Sequence, residues 1–323
     1  EDSRLRETYV SSFLEDDEFS SLLNGKLFRP GKEFHVPSTK VFSEMSTILV
    51  KFHDVEILKQ SYEKDVLRMS YDLKEKLRKI VGNERTIVFN YTDKVNEFVI
   101  ELNATPTRLH FIADRILEAF PVEKQGPITI VLHDKATSLD DIAAVYREMI
   151  ANLVTRPFGR DHSTVVCTGS RKALAFNDRY TSRIESLLND SLGKGDIGRA
   201  KTILMETAGL EKCDEQKWSL FEVTQFTTGA LNTIADSDKN SDERAYEEVQ
   251  DAINYGLRSL NKEIITDNME LALSIAQGES ANENNSISSQ VENIRDYIET
   301  HYMEHLSLSS LDRKSGSAGM PRP

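Results

Sequence analysis

Asp93, Asn96 and Glu97 lie close together between two apolar runs, residues 86–90 and 98–102. Two carboxylates and an amide at a hairpin tip are donors that a hard divalent cation takes, and the same turn could face a phosphate. A solvated turn accounts for the same residues, since Thr92, Asp93 and Lys94 supply ordinary turn chemistry. Gly193-Lys194-Gly195-Asp196-Ile197-Gly198 spells G-x-G-x-x-G, but a dinucleotide loop needs a strand before it. Here helical patterns stand on both sides, which makes it a glycine-broken connection. Asp161-His162-Ser163 sets triad residue types side by side, yet neighbouring side chains on a strand point to opposite faces and cannot relay a proton. His53 and His133 fall at expected strand ends and read as polar end residues rather than ligands. No H-E-x-x-H, P-loop or paired-cysteine motif occurs, so no catalytic residue, metal set or cofactor is expected.

The elements that would carry these residues follow from periodicity. Residues 3–23 place Leu5, Tyr9 and Phe13, then Phe19, Leu22 and Leu23, at helical spacing. That stripe could pack on its own domain or on a second copy. A loop holding Pro30, Gly31 and Pro37 leads to a buried-type strand at 47–53, and a single long helix is expected over 54–81. The hairpin of 86–103 then stands at the centre of a sheet, with a polar link over 91–97. Phe98, Ile100 and Leu102 mark one face of its second strand, and Val99 and Glu101 the other. A helix over 107–120, a strand over 128–132, a helix opened by Ser138 and a strand over 163–167 complete the unit. That order implies about five strands in one sheet flanked by helices.

From Asn177 onward only helical patterns appear, over 184–192, 197–208, 217–234, 245–264 and 267–276. The fold class is therefore α+β, an α/β sandwich followed by an all-α region. The expected units are 1–43, a helix and loop; 44–168, the sandwich; and 169–278, the helical domain. A polar linker spans 279–290, one amphipathic helix 291–311, and a Ser/Gly/Pro-rich tail or added extension 312–323.

The totals exclude several classes. The formal net charge of -13 argues against nucleic acid held over a broad surface and against an anionic membrane face. Cys167 and Cys213 stand alone and fit a reduced, cytoplasmic setting. The start lacks a signal peptide's basic and apolar regions, and the chain reads as part of something larger, whose whole could be membrane-anchored upstream of Glu1.

In element order and at several positions, residues 44–167 resemble the GGDEF (diguanylate cyclase) family. The family's Gly-Gly-Asp/Glu-Glu-Phe hairpin motif falls on Lys94-Val95-Asn96-Glu97-Phe98, which keeps only Glu-Phe. Its metal-holding aspartates fall on Lys51 and His53. Ser138-Leu139-Asp140-Asp141 and Phe158-Gly159-Arg160-Asp161 look like its late helix start and final turn. Lys94 and Val95 fill the space that glycines would leave for a nucleotide, Asn96 lacks charge for Mg²⁺, and Lys51 repels it. Without bridging metal ions the phosphoryl transfer of that family loses its main electrostatic support, so cyclase activity is not expected.

Ile294-Arg295-Asp296-Tyr297-Ile298-Glu299-Thr300-His301-Tyr302, followed by Leu306-Ser307-Leu308-Ser309-Ser310-Leu311, resembles the first helix of an AraC-type helix-turn-helix domain. The pattern departs after Leu311, so both DNA-reading helices are absent. The two resemblances together imply a YesN-like bacterial transcription regulator with a receiver or transmembrane sensor upstream. The expected role is signal transmission and homodimerisation, with DNA bound only through the full-length C-terminal domain. A nucleotide or metabolite held in the degenerate cyclase-like pocket is the alternative, making a small-molecule ligand a further expected partner.

Overall fold

Runs of Val, Ile and Phe make the strands, and their period of two decides which helices cover which face. The computed structural model describes residues 2–23, 44–82, 86–138, 141–159, 161–167, 177–238 and 243–277. The linker, the amphipathic segment at 291–311 and the tail expected from sequence lie outside the described residues, as does the loop at 24–43. Strands β1 (Met45–Phe52), β2 (Thr86–Asn90), β3 (Glu97–Leu102), β4 (Ile128–Thr137) and β5 (Ser163–Val166) form one five-stranded mixed sheet in the order β2-β3-β1-β4-β5. All neighbours are antiparallel except β4 and β5, which run parallel. The centre is therefore β1, and the β2–β3 hairpin lies at one side of the sheet rather than at its middle, where sequence placed it.

Two apolar layers sandwich this sheet. Ile48, Val50, Phe52, Phe98, Ile100 and Ile130 face α3 (Val66–Val81) and α4 (Pro106–Ala119). Leu49, Phe89, Val99 and Val131 face α1 (Asp2–Leu23) and α6 (Ile142–Leu153). The two alternating sets of β3 are thus both inward, and Glu101 is buried although a half-solvated strand would expose it.

Helix α1 packs on its own domain. Phe19 stacks on Phe89 at 4.9 Å between ring centroids, and Asp16 accepts from the Lys74 ammonium at 2.7 Å with both side chains out of solvent. Ser20 Oγ donates to the Asp16 carbonyl at 2.8 Å, lies 3.3 Å from the Asn90 carbonyl and accepts from Thr92 N–H at 2.9 Å, which blunts the outer edge of β2. Of the expected dimer stripe, Tyr9 is half-buried against Tyr71, Phe13 is half-buried, and Leu5 is 49% exposed.

Sequence periodicity misplaced several boundaries. The helix expected over 54–81 is two, α2 (Val55–Ser61) and α3, because Glu63 and Lys64 are left-handed and Asp65 caps a new start at Arg68 N–H. Strand β4 runs on to Thr137, which puts His133 inside it rather than at its end. Ser138 does not cap α6, whose N-cap is Asp141; the Ser138 hydroxyl donates to the Asp141 carboxylate instead. Between α4 and β4 lies a short turn of helix, α5 (Val122–Gln125).

From Asn177 the described residues form helices: α7 (Ser182–Gly193), α8 (Ile197–Thr202), α9 (Leu220–Ser237), α10 (Glu243–Ser259) and α11 (Lys262–Ala276). Thr181 caps α7, and Asp196 caps α8 directly after the G-x-G glycines, confirming a helix connection there. A π-helical stretch, Ile203–Thr207, extends α8. Helix α9 starts at Leu220, later than expected at 217, behind a reciprocal box in which Ser219 and Glu222 each bond the other's backbone N–H. The pattern over 245–264 is split because Leu260 takes a φ of 56° and Asn261 caps α11. Trp218, fully buried against Phe226, anchors this second core.

Candidate functional site

The hairpin tip is built by backbone and amide bonds. Lys94 N–H and Glu97 N–H close the turn onto Tyr91 and Lys94 carbonyls, and Asn90 Nδ2 donates to the carbonyls of Val95 and Glu97. Asn96, a candidate ligand by sequence, instead fixes the tip to the end of β1: its Nδ2 donates to Phe52 O at 2.5 Å while its carbonyl accepts from Phe52 N–H at 3.0 Å. Val95 packs on the α3/α4 layer, and Phe98 lies in that core. Asp93 stands exposed on the turn, apart from the carboxylate that sequence paired with it.

Glu97 is the departure from a solvated tip. It is fully buried, opposite Lys51 in the β1–β3 register, and its Oε1 accepts from Lys51 Nζ at 2.8 Å. Lys94 Nζ approaches the same oxygen at 3.5 Å from the solvent side. The other oxygen accepts from the Tyr146 hydroxyl of α6. Burial and the Glu97 carboxylate push the Tyr146 phenol well above its ordinary range, so it remains a donor. Two ammonium groups thus occupy the neighbourhood of the one buried carboxylate. The arrangement neutralises Glu97 internally and engages both of its oxygens with protein donors. Among the described residues no group of three His, Cys, Asp or Glu could hold a metal ion.

The second degenerate position, His53, does something that sequence reading missed. It lies at the end of β1 on the same strand face as Lys51 and is buried. Its Nε2 is 2.8 Å from Thr129 Oγ1, and its Nδ1 is 3.1 Å from the backbone carbonyl of Arg258 in α10. Arg156 Nη1 already donates to Thr129 Oγ1 at 2.9 Å, so the Thr129 proton is directed at Nε2. A carbonyl can only accept, so Nδ1 carries the imidazole proton. The chain of donors runs Arg156, Thr129, His53, Arg258 carbonyl, from the sheet into the helical region.

Arg156 is itself buried, and its remaining N–H groups donate to the carbonyls of Pro157, Gly159 and Asp161. Burial pulls its guanidinium down to about 10, with the Asp161 carboxylate opposing. Three backbone bonds cross the same joint: Phe158 N–H to Trp218 O at 2.6 Å, Leu220 N–H to Arg156 O at 2.9 Å, and Phe221 N–H to Val154 O at 3.0 Å. Nearby His162 bridges Ile128 N–H and the Phe120 carbonyl, so the Asp161-His162-Ser163 run serves packing.

A third buried group is Glu101, paired across the sheet with Thr47. Among the described residues its Oε1 has no hydrogen-bond partner, and burial pushes the carboxyl up to about 8. No helix among the described residues is long and apolar enough to cross a membrane. Comparison with protein-family models, with curated proteins and with solved structures found no match in any of the three.

Proposed function

We propose that this chain is a non-catalytic, signal-relaying region of a larger regulator, with α1 as the input contact and the helical region as the output. The observation that carries the reading is a run of buried polar joints on both sides of one rigid sheet. Asp16–Lys74 and Ser20–Thr92 tie α1 to α3 and the hairpin. Asn96 ties the hairpin to β1, and His53, Thr129 and Arg156 tie the end of β1 to the helical region. Buried polar bonds hold one geometry and are lost all at once, which suits a part that transmits a displacement. The closed Glu97 cluster supports a role without phosphoryl transfer. The AraC-like residues 291–311 support placing the output before a DNA-binding domain, in a dimeric regulator of that type.

The test releases α1 and reads the far joint. In the variant Asp16→Ala with Ser20→Ala, hydrogen exchange at the amides of Leu220 and Phe221 should quicken at least threefold, with Ile100 in the sheet unchanged. Loosening confined to α1 and α3 would count against a relay. Incubation with GTP and Mg²⁺ should give no cyclic dinucleotide; any such product would restore an enzymatic reading.

A further inference from the structure

The joint between sheet and helical region holds a buried guanidinium, Arg156, beside one neutral imidazole, His53. We propose that this joint is an acid-released latch, in which protonation of His53 parts the helical region from the sheet. The reason lies in the donor chain. With Nδ1–H given to the Arg258 carbonyl, His53 can hold a second proton only on Nε2, which faces Thr129 Oγ1. That oxygen already accepts from Arg156, and the Thr129 proton would then lose its acceptor.

Charge opposes the protonated form as well. Burial above all, and then the charges of Arg156, following α6, and of Lys51, on β1, act against an imidazolium and hold the ring well below its ordinary range. From α10 the Arg258 carbonyl faces the ring and favours the cation, while the Arg258 guanidinium turns to the Asn254 carbonyl. Asp161 acts on Arg156, and the neighbouring Asp54 carboxylate is engaged in capping α2 at Ile57 N–H. Among the described residues no carboxylate bonds to the His53 ring, so an added proton finds no counter-ion among them. Opening the joint returns the ring to water and to its ordinary affinity for a proton.

Linkage fixes the direction. The open form binds the proton more tightly, so the closed joint is fully stable above about pH 6.5 and weakens as pH falls below it. The opening constant should rise about tenfold per pH unit until the closed form itself takes up the proton. The latch gives the proposed relay a regulator, but it rests on the joint alone: a silent far joint after α1 release defeats the relay and leaves the latch standing.

The experiment follows hydrogen exchange of the Leu220 and Phe221 amides in the full chain between pH 7 and 5, corrected for intrinsic exchange. These amides should open about tenfold faster per pH unit below 6.5, whereas Ile100, the control for global unfolding, should not quicken, because the Glu101 carboxyl stabilises the fold as pH falls over this range. His53→Asn keeps an N–H near Nδ1 and cannot titrate, so its joint should show no acid response. Equal acid response in that variant, or a flat wild type, overturns the proposal. Should the variant fail to fold, the imidazole nitrogen spectrum of the wild type decides. An Nδ1–H neutral ring at pH 7 that charges only as the joint opens supports the latch; an Nε2–H or charged ring at pH 7 overturns it.

Discussion

Two residues apart at the end of β1, Lys51 on the strand and His53 just past it enter buried polar clusters of opposite design. Around Lys51 the charges cancel: one carboxylate, Glu97, is met by an ammonium at 2.8 Å, a second at 3.5 Å and a phenol. Around His53 they do not: the Arg156 guanidinium bonds a hydroxyl and three carbonyls, and the imidazole must stay neutral. The first cluster lies within one domain, and the second spans two. A compensated charge makes a fixed point, and an uncompensated one makes a joint sensitive to any further charge. In the structure Lys51 braces the Glu97 carboxylate, and His53 bonds the backbone of the helical region.

The largest effect should come from breaking the brace. Glu97→Ala leaves the Tyr146 hydroxyl and the mostly buried Lys51 ammonium without their acceptor, and should lower stability by about 3–5 kcal/mol in chemical denaturation. Lys51→Met, which strands the carboxylate, should fall in the same range, and the double change should recover a large part of the loss. If the double variant is as unstable as the sum of the singles, the cluster is not a compensated unit.

Next comes the joint. Arg156→Met removes the donors to Gly159, Asp161 and Thr129 but leaves the backbone bonds at Leu220 and Phe221 in place. A cost of about 1–3 kcal/mol is expected, concentrated in exchange of the joint amides and of α10 rather than of β1 and β3. A uniform loss over both regions would mean that they do not open separately, and the contrast drawn between brace and joint would fail.

Glu101 sharpens the comparison because its carboxyl is met by the Thr47 hydroxyl and, among the described residues, by no ion pair. Its folded carboxyl sits at about 8, above an ordinary 4.5, so the fold holds a proton that the unfolded chain gives up. Stability from this group is present at low pH and falls as pH rises from about 4.5 to about 8. Asp16, raised to about 6, acts the same way only over the lower part of that window, and His53 acts in the opposite sense below its ordinary value. Between pH 6.5 and 8 the slope therefore belongs to Glu101 among these three. Glu101→Gln should flatten it and stabilise the protein at pH 8 by about 1–2 kcal/mol, read from denaturation midpoints at several pH values.

What sequence could and could not show follows from range. The hairpin strands, α4 and the helical region are written in local periodicity, and the structure has them nearly where the pattern put them. The edge position of the hairpin depends on which strands pair, and no local pattern carries that. The alternation Glu97, Val99, Glu101 reads as a solvated face, yet α1 and α6 cover it; only the β-branched and aromatic richness of its neighbours hinted at two buried faces. The break in the helix after α2 rests on Glu63 and Lys64 adopting left-handed backbone, which neither residue type signals, although Asp65 three residues before Arg68 was a legible cap. The partner of His53 is a backbone carbonyl 205 residues away, beyond any motif.

The smallest expected effect separates contact from support within the brace. Lys94 reaches the same Glu97 oxygen as Lys51, but at 3.5 Å and with its side chain 45% exposed, whereas the Lys51 side chain is 20% exposed. Water already solvates most of the Lys94 charge, so its attraction to Glu97 is screened and the rotamer freedom it gives up offsets part of the gain. Lys94→Ala should therefore change stability by less than about 0.5 kcal/mol, and the change should shrink in high salt. A loss as large as that of Lys51→Met would place Lys94 inside the brace and make the hairpin tip, not the β1–β3 pair, the source of its charge balance.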